Sequence, residues 1–213
     1  MQKILLINGS PRKKGLTASL LSAFSTHIEA LNEERDEDAH IQCTTLNLSE
    51  YAISHCTGCD ACLRKPYECP LSENDDMGKI EKSMKDSAAI IMGAPSYFGA
   101  PPGIIKDLID RSRPMKMNKY QLKDKLFSVL GTSGLKGGGA NYVQDVLIHF
   151  GLIQGMIVVG SLGHPVLNAN LPSETLQKEA LTDFRKPSEP GKLARKNTKS
   201  LAERIYSFLK EEG

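Results

Sequence analysis

The sequence has no tryptophan, and Phe and Tyr contribute only six residues each. With so few aromatics, each Tyr or Phe that looks exposed is the more noticeable. The sequence also lacks an excess of either charge. Its 27 basic and 25 acidic residues leave a net charge of +2, and they are interspersed rather than clustered. That balance gives no electrostatic case for nucleic acid. Long apolar runs are missing as well, which excludes a helical membrane span. The first run, Ile4 to Ile7, is too short for the apolar region of a secretory signal, so the expected compartment is the cytoplasm. A single domain over residues 1–213 is expected, long enough to bury a substantial core.

Cysteine is scarce too, but four of the five fall in one short stretch. Cys56, Cys59, Cys62 and Cys69 follow a C-x2-C-x2-C-x6-C-P pattern ending at Pro70. Overlapping C-x2-C steps close on one compact centre, and a near relative of this spacing holds bacterial iron–sulfur clusters. Structural zinc more often takes two separated pairs. A 4Fe-4S cluster is the leading expectation; zinc, a redox dithiol and a metal-free loop are the alternatives. Asp60, Arg64, Lys65 and Glu68 make the stretch too polar for a core segment. Structural disulfides are not expected in a reduced compartment. Cys43 stands apart, at an alternating position in an expected strand, and reads as packing.

Five apolar runs read as buried strands: Lys3 to Ile7, Ile41 to Leu48, Ser87 to Gly93, Lys125 to Gly131 and Gly155 to Gly160. Helices are expected from Thr17 to about Leu31, Glu73 to Lys85, Ile104 to Arg111, and near Tyr142 to Phe150. Ser72 or Asn74 is the expected cap of the second. Residues 49–72 form a long cysteine-containing loop after strand 2, and residues 173–213 a C-terminal helical extension. Within that extension Arg185 to Pro190 is a Pro-broken basic stretch, and Lys192, Arg195, Lys196 and Lys199 read as a solvated face. Ser161 to Pro172 reads as an irregular loop, and its His164 as structural rather than catalytic. Alternating strands and helices predict an α/β fold, a doubly wound parallel sheet in the order 2-1-3-4-5.

Three loops at strand carboxyl ends look built for a ligand. Asn8 to Thr17 joins a strand to a helix N-terminus, where backbone N–H groups and the helix dipole favour a phosphate. Ser10, Thr17 and Ser19 offer hydroxyls there, and Arg12 a charged fork. The loop has neither a Walker ending nor G-x-G-x-x-G. Pro95, Ser96, Tyr97, Phe98 and Gly99 set two aromatics at the end of strand 3, where a flat ring can stack. Thr132, Ser133, Gly134 and Gly137 to Gly139 let the backbone approach a ligand closely after strand 4. A phosphate cradle beside an aromatic slot matches the shape of FMN.

Gly9-Ser10-Pro11-Arg12 with Thr17, the cysteine run, Asp75-Asp76-Met77, Ala94-Pro95-Ser96-Tyr97-Phe98 and Ile105 to Arg111 together resemble the NADPH-dependent FMN reductase superfamily. Four cysteines in one loop are most similar to its iron–sulfur flavoproteins. The resemblance covers roughly Met1 to Gly160 and implies a flavodoxin-like fold in a homodimer or homotetramer. It implies that Ser10, Arg12, Thr17 and Ala18 hold the FMN phosphate. Pro95 to Gly99 and Thr132 to Gly137 would frame the ring. The family often has Asn where this chain has Leu16. The expected function is electron transfer between FMN, a 4Fe-4S cluster and a ferredoxin-like carrier, with no catalytic side chain beyond the cluster ligands. Two other functions stay open. One is a cluster-free reductase drawing on NAD(P)H to reduce a quinone or other small-molecule acceptor. The other is a non-enzymatic flavodoxin-like carrier or zinc-stabilised module.

Overall fold

The structure, a computed structural model, describes residues 2–33, 36–135, 137–167 and 191–211. Five parallel strands form one sheet in the order β2-β1-β3-β4-β5. They are β1 (Lys3–Asn8), β2 (Gln42–Asn47), β3 (Ala89–Pro95), β4 (Leu126–Leu135) and β5 (Ile157–Leu167). Six helices accompany them among the described residues: α1 (Leu16–Asn32), α2 (Met77–Lys85), α3 (Gly103–Arg111), α4 (Arg113–Met117), α5 (Ala140–Ile153) and α6 (Lys192–Glu211).

The twofold alternation of a strand sends successive residues to opposite faces, and an apolar run therefore needs cover on both. In β1, Leu5 and Ile7 face one core with Ile80, Met84, Leu108 and Phe127, under α2, α3 and α5. Ile4 and Leu6 face the other with Leu20, Phe24, Leu201 and Ile205, under α1 and α6. Each fully buried Leu or Ile of this kind is worth about 1.5–3 kcal/mol relative to exposure. The final helix is thus part of the core. Its Tyr206 hydroxyl donates to the Leu31 carbonyl at the end of α1, 2.7 Å away, while Lys192, Arg195, Lys196 and Lys199 face solvent.

Several expected boundaries move. β4 continues to Leu135, so Thr132, Ser133 and Gly134 stand on a strand rather than in a loop. Their backbone pairs with Pro95 on one side and with His164 and Pro165 on the other. That same pairing carries β5 to Leu167, where an irregular loop was expected. α2 starts only at Met77, after a separate 3-10 turn over Pro70–Glu73. Neither Ser72 nor Asn74 caps it; the Asp75 carboxylate accepts the Met77 N–H at 3.0 Å. The helical start at Ser173 and the Arg185 to Pro190 stretch lie outside the described residues. No helix among the described residues is long and apolar enough to cross a membrane.

Candidate functional site

The carboxyl ends of β1, β3 and β4 lie side by side, and polar contacts lock their loops together. Asn8, fully buried at the end of β1, donates to Asn47 Oδ1 and accepts the Ser10 N–H at 3.1 Å. Ser10 Oγ in turn accepts the Arg12 N–H, which turns the loop over toward α1. Gly15, the residue before that helix, gives it no side-chain cap, so its first N–H groups have no intrahelical acceptor. Thr17, in its first turn, shares a buried hydrogen bond with Thr132 Oγ1 at 2.8 Å. The Thr132 carbonyl accepts the Ser96 N–H at 2.6 Å. Thr132 therefore holds all three loops in register.

Residues Tyr97 to Ala100 make a tight turn closed by two backbone hydrogen bonds between its ends. Both central residues are left-handed, Phe98 at φ 52° and Gly99 at φ 84°, the backbone of a type I′ turn. Phe98 is a bulky side chain in a conformation that favours glycine, and it stands fully exposed. Gly139 explains how the β3 and β4 loops can touch: a Cβ there would meet Ser96 Oγ at 2.6 Å and Gly99 Cα at 2.8 Å. Ser96 Oγ is buried there without a hydrogen-bond partner. Ala18 is half-buried on α1, Gly137 is exposed, and Pro95 lies beside Thr132. Asn8 was not anticipated; its place at the last residue of β1, before a Gly-Ser loop, was the available signal.

The four clustered cysteines also come together. Left-handed residues Gly58 (φ 69°) and Asp60 (φ 56°) bend the loop on itself. Cys56, Cys59, Cys62 and Cys69 thereby line one small cavity together with Arg111, Arg113 and Pro114. All five cysteines are free thiols. The Ala61 N–H and the Thr57 hydroxyl favour the Cys59 thiolate and lower its pKa, while burial raises that of Cys62. Cys43 is separate, and burial pushes its thiol up to about 11. Among the described residues, no three His, Cys, Asp or Glu side chains gather on one ion position.

Charged contacts stitch this loop to α3 and α4. Asp107 and Arg111 are four residues apart and share one face of α3. His55 Nδ1 lies 2.6 Å from Asp107 Oδ1, and Arg111 Nη1 donates to the Ser54 carbonyl at 2.8 Å. Arg113 pairs with Asp60 at 2.7 Å. Arg111 also reaches Ser72 Oγ and both oxygens of Asp75. The Asp75-Asp76 and Asp110-Arg111 motifs are legible in the sequence, but not that they meet beside the cysteines.

Residues 2–168 match the sequence profile of the family described as NADPH-dependent FMN reductase. The chain belongs to that family. Membership makes it a flavin-dependent oxidoreductase. It is 37% identical to an iron-sulfur flavoprotein of Archaeoglobus fulgidus, over 95% of this chain and 93% of the relative. An iron-sulfur flavoprotein of Methanocaldococcus jannaschii is 35% identical over 74% and 76% of the two chains. The fold is shared with an FMN-dependent NADH-azoreductase of Bacillus anthracis, with TM-score 0.62 and 16% identity over 96% and 99%. It is shared too with a flavodoxin, a WrbA-like protein of Agrobacterium tumefaciens, with TM-score 0.54 and 15% identity over 97% and 99%. The flavodoxin-like fold class follows from both the strand order and these likenesses.

Proposed function

We propose that this family member is an FMN-dependent electron-transfer flavoprotein that also carries a 4Fe-4S cluster, and that a ferredoxin-like carrier exchanges electrons with it. The observation that carries this reading is the single cavity onto which all four cysteines open, with Arg111 and Arg113 beside it. A cubane takes one thiolate per iron, and so asks for a ring of sulfurs rather than one point of convergence. The space enclosed is about 20 Å³, enough for one water. Cys56 and Cys59 are exposed, and Cys62 and Cys69 partly so.

For FMN, the uncapped start of α1 with Ser10, Arg12, Thr17 and Ala18 is suited to the phosphate. Ser96, with its buried and unpartnered hydroxyl, is suited to a polar edge of the ring. Pro95, Tyr97, Phe98 and Gly99 would border the ring on one side, and Thr132, Ser133, Gly134 and Gly137 on the other. FMN held by these residues would supply both two-electron and one-electron chemistry, which suits exchange with a one-electron centre. The residues bind, orient and shield; none is assigned an acid or base role. A cytoplasmic homodimer or homotetramer is the expected form. The family's description supports a second reading, a cluster-free NAD(P)H-dependent FMN or quinone reductase.

Iron, acid-labile sulfide, zinc and flavin per chain, measured on protein purified without oxygen, test both. About four irons and four sulfides with one FMN support the cluster. FMN with neither iron nor zinc overturns it in favour of the reductase. Zinc without iron points to a zinc-stabilised module, and an absence of flavin after reconstitution overturns both readings.

A further inference from the structure

Arg111 is among the largest fully buried side chains of the molecule. Burying a guanidinium costs several kcal/mol unless every part of it is paired, yet one part is not. Its two terminal nitrogens are used by the Ser54 carbonyl, Ser72 Oγ and the Asp75 carboxylate. Its Nε–H is buried and has no hydrogen-bond acceptor. The same residue lines the cysteine cavity. A structural ion pair with Asp75 explains the terminal nitrogens. It does not explain a third donor left unsatisfied beside four thiols.

The contacts also have a pattern. Ser54 lies just before Cys56, and Ser72 just after Cys69. One guanidinium thus holds both ends of the cysteine loop to α3. Arg113, two residues on, holds the middle through Asp60 and faces the same cavity.

We propose that Arg111 is a positioning residue for the cluster: it clamps both ends of the cysteine loop and offers its unpaired Nε–H to the sulfurs of the cavity, while Arg111 and Arg113 together offset the negative charge of a four-thiolate centre. This rests on the cluster reading above. Charge-assisted hydrogen bonds to ligand sulfurs and nearby positive charge favour the more negative, reduced state of such a centre. Removing either arginine therefore moves its reduction potential negative.

Two variants test this in the full-length, anaerobically purified protein. Arg113→Gln changes a partly exposed side chain, and its iron, sulfide and circular dichroism are measured before its potential. The expected result is a negative shift of the cluster potential in an electron-paramagnetic-resonance titration, with the flavin potential unmoved. Arg111→Lys keeps the charge but loses the fork; FMN is expected to remain while iron and sulfide fall. Circular dichroism and flavin content separate that loss from unfolding. Wild-type iron content in Arg111→Lys together with an unmoved potential in Arg113→Gln overturns the proposal alone. Wild-type protein without iron or sulfide overturns the cluster reading as well, so the two failures are distinguishable.

Discussion

The Arg111 guanidinium and the Asp75 carboxylate form an ion pair closed off from solvent, with side chains 0% and 1% exposed and Nη1 2.5 Å from Oδ2. Asp75 also accepts the backbone N–H groups of Ser54 and Met77. One carboxylate therefore caps α2, anchors the entry to the cysteine loop and neutralises the arginine. Such a pair contributes more to geometry than to net stability, but breaking it leaves a buried charge uncompensated.

Asp75→Ala is accordingly expected to destabilise the fold by about 3–5 kcal/mol. Denaturant unfolding followed by circular dichroism measures it. A loss under 1 kcal/mol would mean that the arginine finds water or another acceptor.

The same carboxylate gives the protein an acid sensitivity. Burial pushes its pKa up, but Arg111 and the two N–H groups overcome that and hold it at about 2, below its ordinary 3.8. A depressed carboxylate stabilises the folded state above its unfolded value. That stability, about 2 kcal/mol, is lost as pH falls from 3.8 toward 2. Stability profiles of the wild type and Asp75→Asn should diverge above that window and converge below it. Parallel profiles would refute the assignment.

Phe98 holds a left-handed backbone that costs a bulky residue roughly 1–2 kcal/mol. Phe98→Asn, which tolerates that conformation, should leave stability unchanged or raise it by up to about 1 kcal/mol. If the ring borders the flavin, the variant should also lose FMN more readily on dialysis. Higher stability with unchanged flavin retention would remove Phe98 from the site.

At Gly139 an added methyl meets Gly99 Cα, and the backbone is already left-handed at φ 94°. Gly139→Ala should push the Tyr97–Ala100 turn away from Ser96, costing about 1–3 kcal/mol and weakening FMN binding. Flavin fluorescence on reconstitution reads the second effect, and wild-type affinity would show that the two loops need not touch.

The thiols should also differ in reactivity. In cluster-free protein at neutral pH, the lowered pKa of Cys59 and the raised one of Cys43 predict alkylation of Cys59 first and Cys43 last. Peptide mass mapping gives the order, and early labelling of Cys43 would contradict its burial.

Much of this architecture is local, and so it was legible in the sequence. Runs such as Ile4 to Ile7 and Ala89 to Met92 announce strands covered on both faces, because nothing else buries consecutive apolar residues so compactly. That Cys56, Cys59, Cys62 and Cys69 would lie together was legible too, because so short a spacing limits how far apart four sulfurs can go, and all four line one cavity. The continuation of β4 through Thr132, Ser133 and Gly134 was not legible. Those side chains are polar or absent, and their strand geometry comes from pairing with β3 and β5.

What only the tertiary structure decided lies between residues far apart in the chain. Thr17 and Thr132 meet across 115 positions, Arg111 and Asp75 across 36, and Arg113 and Asp60 across 53. No periodicity or motif encodes such partners, since a lone Arg or Thr suits solvent as well as a buried contact. They are chosen when the sheet closes and water is excluded, because a buried donor must then find an acceptor within the fold. The sequence determined the strands, their order and the clustering of four cysteines; folding determined that an arginine with one donor still unpaired would stand beside them.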